Sequence, residues 1–234
     1  MVELRTYMFL DSLQKQMASF IATISRGYFP VANEACCVIE IAPGIEINRL
    51  TDIALKATNV KPGLQVVERS FGFLEIHSPS QADTRQAGEA ILNALGLKES
   101  DRLKPRILTS QLIKNIDDHQ AQLINKTRYG NMVLKGDTLY VLEIEPAGYA
   151  YYVANEAEKA SHINIINVAG IGKFGRVYIA GDEAEVLESK KIVEKRIEEI
   201  SGKEIRWLLI DIFKKIYYWK LIFSEYLLNI LINI

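Results

Sequence analysis

Two stretches of the chain carry the same succession of apolar and polar patterns. Each opens with a nearly unbroken apolar strand pattern that ends at a proline, CCVIEI before Pro43 and LYVLEIE before Pro146. Apolar or small residues at helical spacing follow, then two strand patterns joined by a short loop, then a second helical pattern. Gly96 is expected to end that second helix in the first stretch. The order predicts an α+β fold, with helices flanking an antiparallel sheet in each stretch.

The two stretches match residue by residue at one fixed spacing. VIEIAPGIEINRLTDIALKATNV begins at Val38 and VLEIEPAGYAYYVANEAEKASHI begins at Val141, an offset of 141 − 38 = 103. The offset holds without a gap as far as the pair Phe71-Gly72 and Phe174-Gly175, and it extends upstream to Thr6 and Thr109. We therefore predict two copies of one domain, each of roughly 100 residues.

The repeat sets the expected domain boundaries. The first copy covers residues 1–102, the second covers 103–203, and an atypical hydrophobic tail covers 204–234. The segment KESDRLKPR is charged, bears a proline and lacks apolar periodicity, so it is the expected linker between the copies. The N-terminal part of each copy, TYMFLDSLQKQMASFIATI and KNIDDHQAQLINKT, is patterned less clearly.

The segment GIGKFG at 170–175 matches G-x-G-x-x-G, the glycine pattern of dinucleotide-binding enzymes. That pattern binds a pyrophosphate only when it follows a strand and opens a helix. Here INIINVA precedes the glycines and RVYIAG follows them, and both are strand patterns. The context is strand–loop–strand, so we expect no dinucleotide and no other cofactor at this loop.

The 103-residue offset pairs this loop with ERSFG in the first copy. Glu68 corresponds to Ile171 and Arg69 corresponds to Gly172. If three chains assemble around a threefold axis, six such loops can converge there and alternate between charged and glycine-rich. The result would be a ring of three Glu, three Arg and up to three Lys side chains around a hole, the lysine being Lys173.

Composition and charge remove several function classes. Hydrophobic residues make up 49% of the chain, charged residues 24%, and the formal net charge of −1 gives no support to nucleic-acid binding. The adjacent Cys36 and Cys37 cannot link distant segments, and we expect them to be packed in a strand. The three histidines lack the spacing of a metal site. We see no catalytic constellation, so we do not expect an enzyme, and no signal peptide is expected at the N-terminus.

The stretches ELRTYMFLDSLQ, TDIALKATNVKPG, VVERSFG, AQLIN, LEIEPAGY and ANEAEKA resemble the tandem-domain shell proteins of bacterial microcompartments, in particular the trimers of the β-carboxysome. The resemblance runs from about residue 3 to about residue 203. It implies two circularly permuted shell-protein domains in a pseudohexameric homotrimer that tiles the carboxysome shell with other shell proteins. Two such trimers can stack face to face. The implied location is cytoplasmic, in the carboxysome shell.

The resemblance also implies roles for particular residues. Glu68 and Arg69 stand at the pore motif, whose side chains switch between open and closed arrangements. Lys56, followed by Asn59, stands at the edge where neighbouring tiles meet. Lys159 keeps this lysine in the second copy, but His162 replaces the asparagine and weakens the correspondence.

Elementary chemistry is consistent with a gate at this turn. An exposed Glu–Arg pair contributes only ~0–1 kcal/mol, so its rearrangement costs little. Gly170 and Gly172 carry no Cβ that would obstruct Arg69 as it moves. The guanidinium suits carboxylate and phosphate oxygens, so small anions such as phosphoglycerate and sugar bisphosphates are the expected metabolites.

Two matters stay open at the level of sequence. A soluble trimeric ligand-binding regulatory protein with a ferredoxin-like sheet is the alternative function, distinguished by discrete trimers without an axial hole. The tail from about Glu204 is rich in Ile, Leu, Tyr and Trp but is interrupted by charges, so no transmembrane span is expected. It could dock on protein, lie on a membrane surface, or be AT-rich read-through without a selected role, which we favour.

Overall fold

The computed structural model describes residues 2–205, and these contain two four-stranded antiparallel sheets with flanking helices. The first copy has strand order β1-β2-β4-β3 and the second has β5-β6-β8-β7. The strands are β1 Glu3–Leu10, β2 Ala35–Ala42, β3 Lys61–Glu68, β4 Phe71–Ser78, β5 Arg106–Ile113, β6 Thr138–Glu145, β7 Asn164–Ala169 and β8 Gly175–Gly181. The helices are α1 Lys15–Ile24, α2 Ile47–Ala57, α3 Gln81–Leu95, α4 Asp118–Asn125, α5 Tyr149–Ala160 and α6 Glu183–Glu198.

The two sheets have the same register at the offset seen in the sequence. The pair Glu3–Ala42 in the first sheet becomes Arg106–Glu145 in the second. The register shift between Leu4 and Thr6 in β1 recurs at the matching place in β5. The α+β prediction is confirmed, and so is the helix end at Gly96, which has φ +65°. Of the less clearly patterned segments, the first contains most of β1 and all of α1, and the second contains α4.

Each sheet carries helices on both faces, because its strands are apolar on both sides. Cys36 and Val38 of β2 face α1, whereas Cys37 and Ile39 face α2 and α3. Both cysteines are fully buried, as predicted. The apolar layer around α1 continues without a break into the second copy and includes Tyr149 and Tyr151 of α5. One core therefore joins the two copies.

The segment predicted as a linker does connect the copies, but it is packed rather than loose. Arg102 and Leu103 are buried. The Arg102 guanidinium donates to the backbone oxygens of Tyr7 (2.8 Å) and Ser201 (3.1 Å). A bridge pairs Leu103 with Lys203. The sequence did not reveal this packing, because a buried arginine and a surface arginine look the same in a sequence.

The contact between the two copies, called the junction below, depends on one helix end that cannot cap itself. Gln14 precedes α1 and makes no side-chain cap. Glu158 of α5 accepts instead from the backbone N–H groups of Gln16 (2.8 Å) and Met17 (3.0 Å), and Asn155 accepts from that of Gln14 (2.9 Å). The orphan amides of a helix start are thus satisfied by side chains from the other copy.

The second copy lacks this arrangement. Leu55 stands at the position of Glu158 in the first copy and cannot accept a hydrogen bond. The matching helix α4 caps itself, because the Asp117 carboxylate accepts from the backbone N–H of His119 at 2.9 Å. The Asp117 carboxylate is therefore accounted for as the cap of an exposed helix start.

We expect Glu158→Leu, which copies the first-copy residue, to lower the free energy of unfolding by about 2 kcal/mol, because the start of α1 loses a charged cap. Urea unfolding measures the change. Glu188→Leu, on the exposed surface of α6, is the matched control and should shift stability by no more than about 0.5 kcal/mol. Equal effects of the two substitutions would contradict the capping role.

Candidate functional site

The turn that carries the predicted pore residues joins β3 to β4. Val67 pairs with Gly72 and Glu68 with Phe71, so only two residues, Arg69 and Ser70, form the turn. Arg69 has φ +52°, in the left-handed region that disfavours residues with a Cβ. Its side chain is 92% exposed, and its Nε lies 3.6 Å from Glu68 Oε1. The turn thus presents a weakly paired arginine to solvent on a strained backbone.

The matching connection in the second copy has the same number of residues, but its strand pairing ends earlier. β7 ends at Ala169 and β8 begins at Gly175, so five residues form the loop instead of two. Gly172 has φ +113° and stands at the position of Arg69, and a Cβ there would meet open space. Lys173 is exposed, with its ammonium 4.8 Å from the centre of the Phe174 ring. The strand–loop–strand prediction for GIGKFG is confirmed.

Gly170 is glycine for a reason that the sequence did not suggest. A Cβ at this position would overlap the Tyr151 ring, which occupies the space directly beside it. The same ring lies against Phe73 of the first copy, with centroids 5.0 Å apart. Tyr151 therefore holds the start of the glycine loop against the first sheet. Room for a moving Arg69 is not what requires this glycine; only Gly172 faces open space.

A buried polar group lies in the layer beneath Tyr151. Glu75 Oε1 is 3.0 Å from His77 Nδ1 and accepts from the Cys36 thiol at 3.3 Å, and all three side chains are buried. Burial, together with the nearby Glu75 carboxylate, raises the pKa of Cys36 well above its ordinary value. Such a thiol is a poor nucleophile. Within residues 2–205 no group of three His, Cys, Asp or Glu side chains could hold a metal ion.

The predicted tile-edge residues divide into two different settings. Lys56 and Asn59 are exposed, and Lys56 Nζ lies 2.6 Å from Asp52. Lys159 instead lies at the junction, 2.6 Å from Asp11 of the first copy. The hydrogen bond from Lys159 lowers the pKa of Asp11 below its ordinary value. The sequence could not separate the two lysines, since Asp11 is distant along the chain.

Comparison with known proteins places the chain in a family. The model of the CsoS1D N-terminal domain matches residues 4–101. The carboxysome shell protein CcmP of Synechococcus elongatus is 53% identical over 203 residues, 87% of this chain and 95% of that protein. The carboxysome shell protein CsoS1D of Hydrogenovibrio crunogenus is 42% identical, over 86% of this chain and 98% of that protein. The chain belongs to the family of tandem-domain carboxysome shell proteins.

Solved structures agree with this assignment. The double-ringed trimeric shell protein of the RMM microcompartment has a TM-score of 0.85 and 39% identity, over 88% of this chain and all of that one. The fused permuted hexameric shell protein of the same microcompartment has a TM-score of 0.82 and 42% identity, over 84% and 96% of the two chains. The prediction of two tandem permuted shell-protein domains is confirmed.

Family membership settles several predictions about function. The protein has a structural role in the carboxysome shell and is not an enzyme, so the alternative of a soluble regulatory protein is set aside. In the described part of the chain no helix is long and apolar enough to cross a membrane. The predictions for the tail fall on residues 206–234, which lie outside the described residues.

The left-handed backbone at Arg69 allows a test that separates the effect of backbone strain on stability from the effect of losing the side chain. We expect Arg69→Gly to be about 1 kcal/mol more stable than Arg69→Ala, because both lose the guanidinium but only glycine relieves the left-handed backbone. Urea unfolding at equal chain concentration measures the difference. An alanine variant as stable as the glycine variant would mean that the turn carries no strain.

Proposed function

We propose that three chains close into a pseudohexameric ring by repeating the junction between neighbouring chains. Within one chain, α1 of the first copy packs against α5 of the second. The 103-residue offset places α4 of one chain against α2 of the next in the same way. Residues 1–102 and 103–203 are the two proposed domains. A similar solved structure is that of a trimeric shell protein, which supports this arrangement.

Exposed apolar side chains mark the surfaces that closure would cover. Leu123 of α4 is 63% exposed, whereas Phe20, at the matching position in α1, is 2% exposed at the junction. Ile45 and Leu55 are also exposed, and they match Gly148 and Glu158, which contact the first copy. Each copy therefore has an exposed surface that corresponds, at the 103-residue offset, to one side of the junction, which supports the proposed contact.

The charges at the proposed contact differ from those at the junction. Lys114 stands at the position of Asp11 and would face Lys56, the counterpart of Lys159. Asp52 lies beside Lys56, and Glu183 pairs with Lys114 within the chain. Each lysine therefore has a carboxylate beside it in its own chain, and these carboxylates offset the repulsion between the two lysines when the chains meet.

We expect Leu123→Asp to leave the single chain folded, because the side chain is exposed there, but to block ring closure. At each of the three contacts the substitution loses the burial of a leucine side chain, worth about 1.5–3 kcal/mol. It would also bury an unpaired charge there. Native mass spectrometry should show single 26.5 kDa chains instead of multiples of three. Leu187→Asp on α6 is the control and should keep the wild-type mass; unchanged assembly of Leu123→Asp would overturn the contact.

We further propose that the closed ring has a central pore lined by Glu68, Arg69, Gly170, Gly172 and Lys173, and that it passes small anions such as phosphoglycerate and sugar bisphosphates in a β-carboxysome. The observation that carries this proposal is the exposed Arg69 at a two-residue turn, with a weak contact to Glu68. A guanidinium so placed can release Glu68 and take an anionic oxygen at little cost. Lys56, Asn59 and Lys159 remain the proposed tile-edge residues, which requires the lateral contact between copies to reach the tile edge, because Lys159 pairs with Asp11 across the junction and Lys56 would face Lys114.

Flux through assembled shells tests the pore. Shells that enclose a phosphoglycerate-consuming enzyme should take up phosphoglycerate several-fold more slowly with Arg69→Ala, because the only arginine at the turn is lost. Arg196→Ala removes a half-exposed arginine at the end of α6 and should leave uptake unchanged. Uptake that Arg69→Ala does not alter would remove Arg69 from the passage of anions.

A further inference from the structure

Gln16 of α1 binds the start of β7 across the junction. Its side-chain Nε2 donates to the backbone oxygen of Ile163 at 2.6 Å, and its Oε1 accepts from the backbone N–H of Ile165 at 2.9 Å. Oε1 also accepts from the Asn131 side-chain amide at 2.7 Å. A primary amide satisfies all three partners because it carries both donors and an acceptor. The junction therefore requires a side chain at this position that both donates and accepts.

His119 stands at the position of Gln16 in the second copy. In the proposed ring it would face the counterparts, in the neighbouring chain, of the three residues that Gln16 contacts. At the 103-residue offset these counterparts are Val60, Pro62 and Tyr28. The backbone has the same form in both places, because the loop after α1 donates to the start of β3 just as the loop after α4 donates to the start of β7. The His119 side chain is 91% exposed in the single chain, so a neighbouring chain can reach it.

The surface that would receive His119 lacks the two donors found at the junction. Val60 keeps the backbone oxygen that accepts there. Pro62 has no N–H group, so the backbone donor of the junction is lost. Tyr28 is 62% exposed and brings an aromatic ring in place of the amide donor. This surface therefore suits a side chain that donates, whereas an accepting nitrogen would lose its backbone partner.

The other ring nitrogen of His119 already faces an acceptor within its own chain. Asp117 Oδ1 lies 3.5 Å from Nδ1 and accepts from the backbone N–H of His119 at 2.9 Å. That backbone hydrogen bond lowers the pKa of Asp117 below its ordinary value, so the carboxylate stays ionised near neutral pH. With Nδ1 facing Asp117, Nε2 is the nitrogen left for the neighbouring chain. A neutral imidazole has one N–H group and an imidazolium has two, so only the imidazolium can donate to both acceptors.

The charged groups on the surrounding elements are mixed in sign. Lys56 pairs with Asp52 on α2 of the neighbouring chain, and Lys114 pairs with Glu183 in the chain that carries His119. Four further charged side chains surround the position, and all are exposed: Asp118 and Lys126 in the same chain, and Arg26 and Lys61 in the neighbouring one. Solvent and salt screen exposed charges, so the two direct acceptors decide the charge of the ring.

We propose that His119 enters the contact between neighbouring chains as an imidazolium, with Nε2 donating to the Val60 backbone oxygen of the next chain and Nδ1 donating to its own Asp117. The inference rests on the proposed ring of three chains, which contains three such contacts. The exposed Tyr28 ring adds a favourable surface for the cation.

Ring closure is then linked to proton binding. Each His119 takes its proton from solvent as the ring closes, so the closed ring binds more protons than the separate chains. A state that binds more protons is favoured as the pH falls. Association of the chains is therefore tightest in mild acid and weakens as the pH rises.

Native mass spectrometry of the full chain tests the proposal between about pH 5 and pH 8, the range in which histidine loses its proton. For the wild type we expect particles with multiples of three chains at the acidic end. The chain concentration at half-assembly should rise about tenfold toward the alkaline end. Exchange of isotope-labelled chains between rings should become faster over the same range, and it reports the effect even where rings are too tight to dissociate.

Two substitutions identify the titrating group. His119→Gln copies Gln16 and can donate to Val60 at any pH, so its rings should form without this pH dependence. His162→Gln removes another exposed histidine and should keep the pH dependence of the wild type.

The outcomes distinguish the ring from the proton. Single chains at every pH would overturn the proposed ring, and this inference with it. Rings whose half-assembly concentration and exchange rate stay constant would keep the ring and overturn the protonated contact. A pH dependence that persists in His119→Gln would assign the proton to another group, and so would its loss in His162→Gln; either result overturns the role of His119.

Discussion

The structure depends on one contact in which each copy satisfies what the other leaves unpaired. The start of α1 has backbone amides without a cap, and Glu158 and Asn155 of α5 accept from them. In the opposite direction, the Glu40 carboxylate of the first copy accepts from the backbone N–H of Gly148 at 2.8 Å, just before α5, and it also binds Arg5. Burial raises the pKa of Glu40 above its ordinary value despite the arginine. The contact therefore keeps in the interior a carboxylate that would otherwise be more stable in water. Separating the copies would leave these backbone amides and carboxylates without their hydrogen-bond partners at the same time. The two copies therefore hold together as one core.

This contact also explains why the copies have diverged. In the proposed ring, each chain has one junction that is always formed and one surface on each copy that only another chain covers. On these surfaces Leu55 stands in place of Glu158, and Asp117 stands in place of Gln14. Because Asp117 caps α4 from within the same copy, the first backbone amides of α4 need no partner from another chain. Apolar side chains such as Leu123 can tolerate water before assembly, whereas uncapped amides and buried carboxylates cannot. The second copy's smaller apolar layer around α4, which includes Ile116, Ala121 and Val133, fits a surface that is completed only by a neighbour.

The two loops proposed to line a pore differ for a related reason. In the first copy the turn reaches solvent on a strained backbone, with the Arg69 side chain almost fully exposed. In the second, Tyr151 from the junction fills the space beside Gly170 and ties the loop to Phe73. A proposed gate of this kind combines one loop that can rearrange cheaply with another that is anchored, so the movement is confined to Glu68 and Arg69.

The sequence by itself determined the repeat, the α+β class, the helix end at Gly96 and the strand–loop–strand context of GIGKFG, because these depend on local periodicity and on residues with strong backbone preferences. It also carried the family resemblance, since whole motifs such as VVERSFG were retained. It did not determine that Arg102 is buried, that Lys159 pairs with Asp11, or that Gly170 makes room for Tyr151. Each of these is a contact between residues that are not neighbours in the sequence, from Gly170 and Tyr151 to Lys159 and Asp11. A charged residue or a glycine looks the same in the sequence whether it faces water or packs against such a side chain. Only the tertiary structure decided them, because it fixes which surfaces of the two copies meet and which remain exposed.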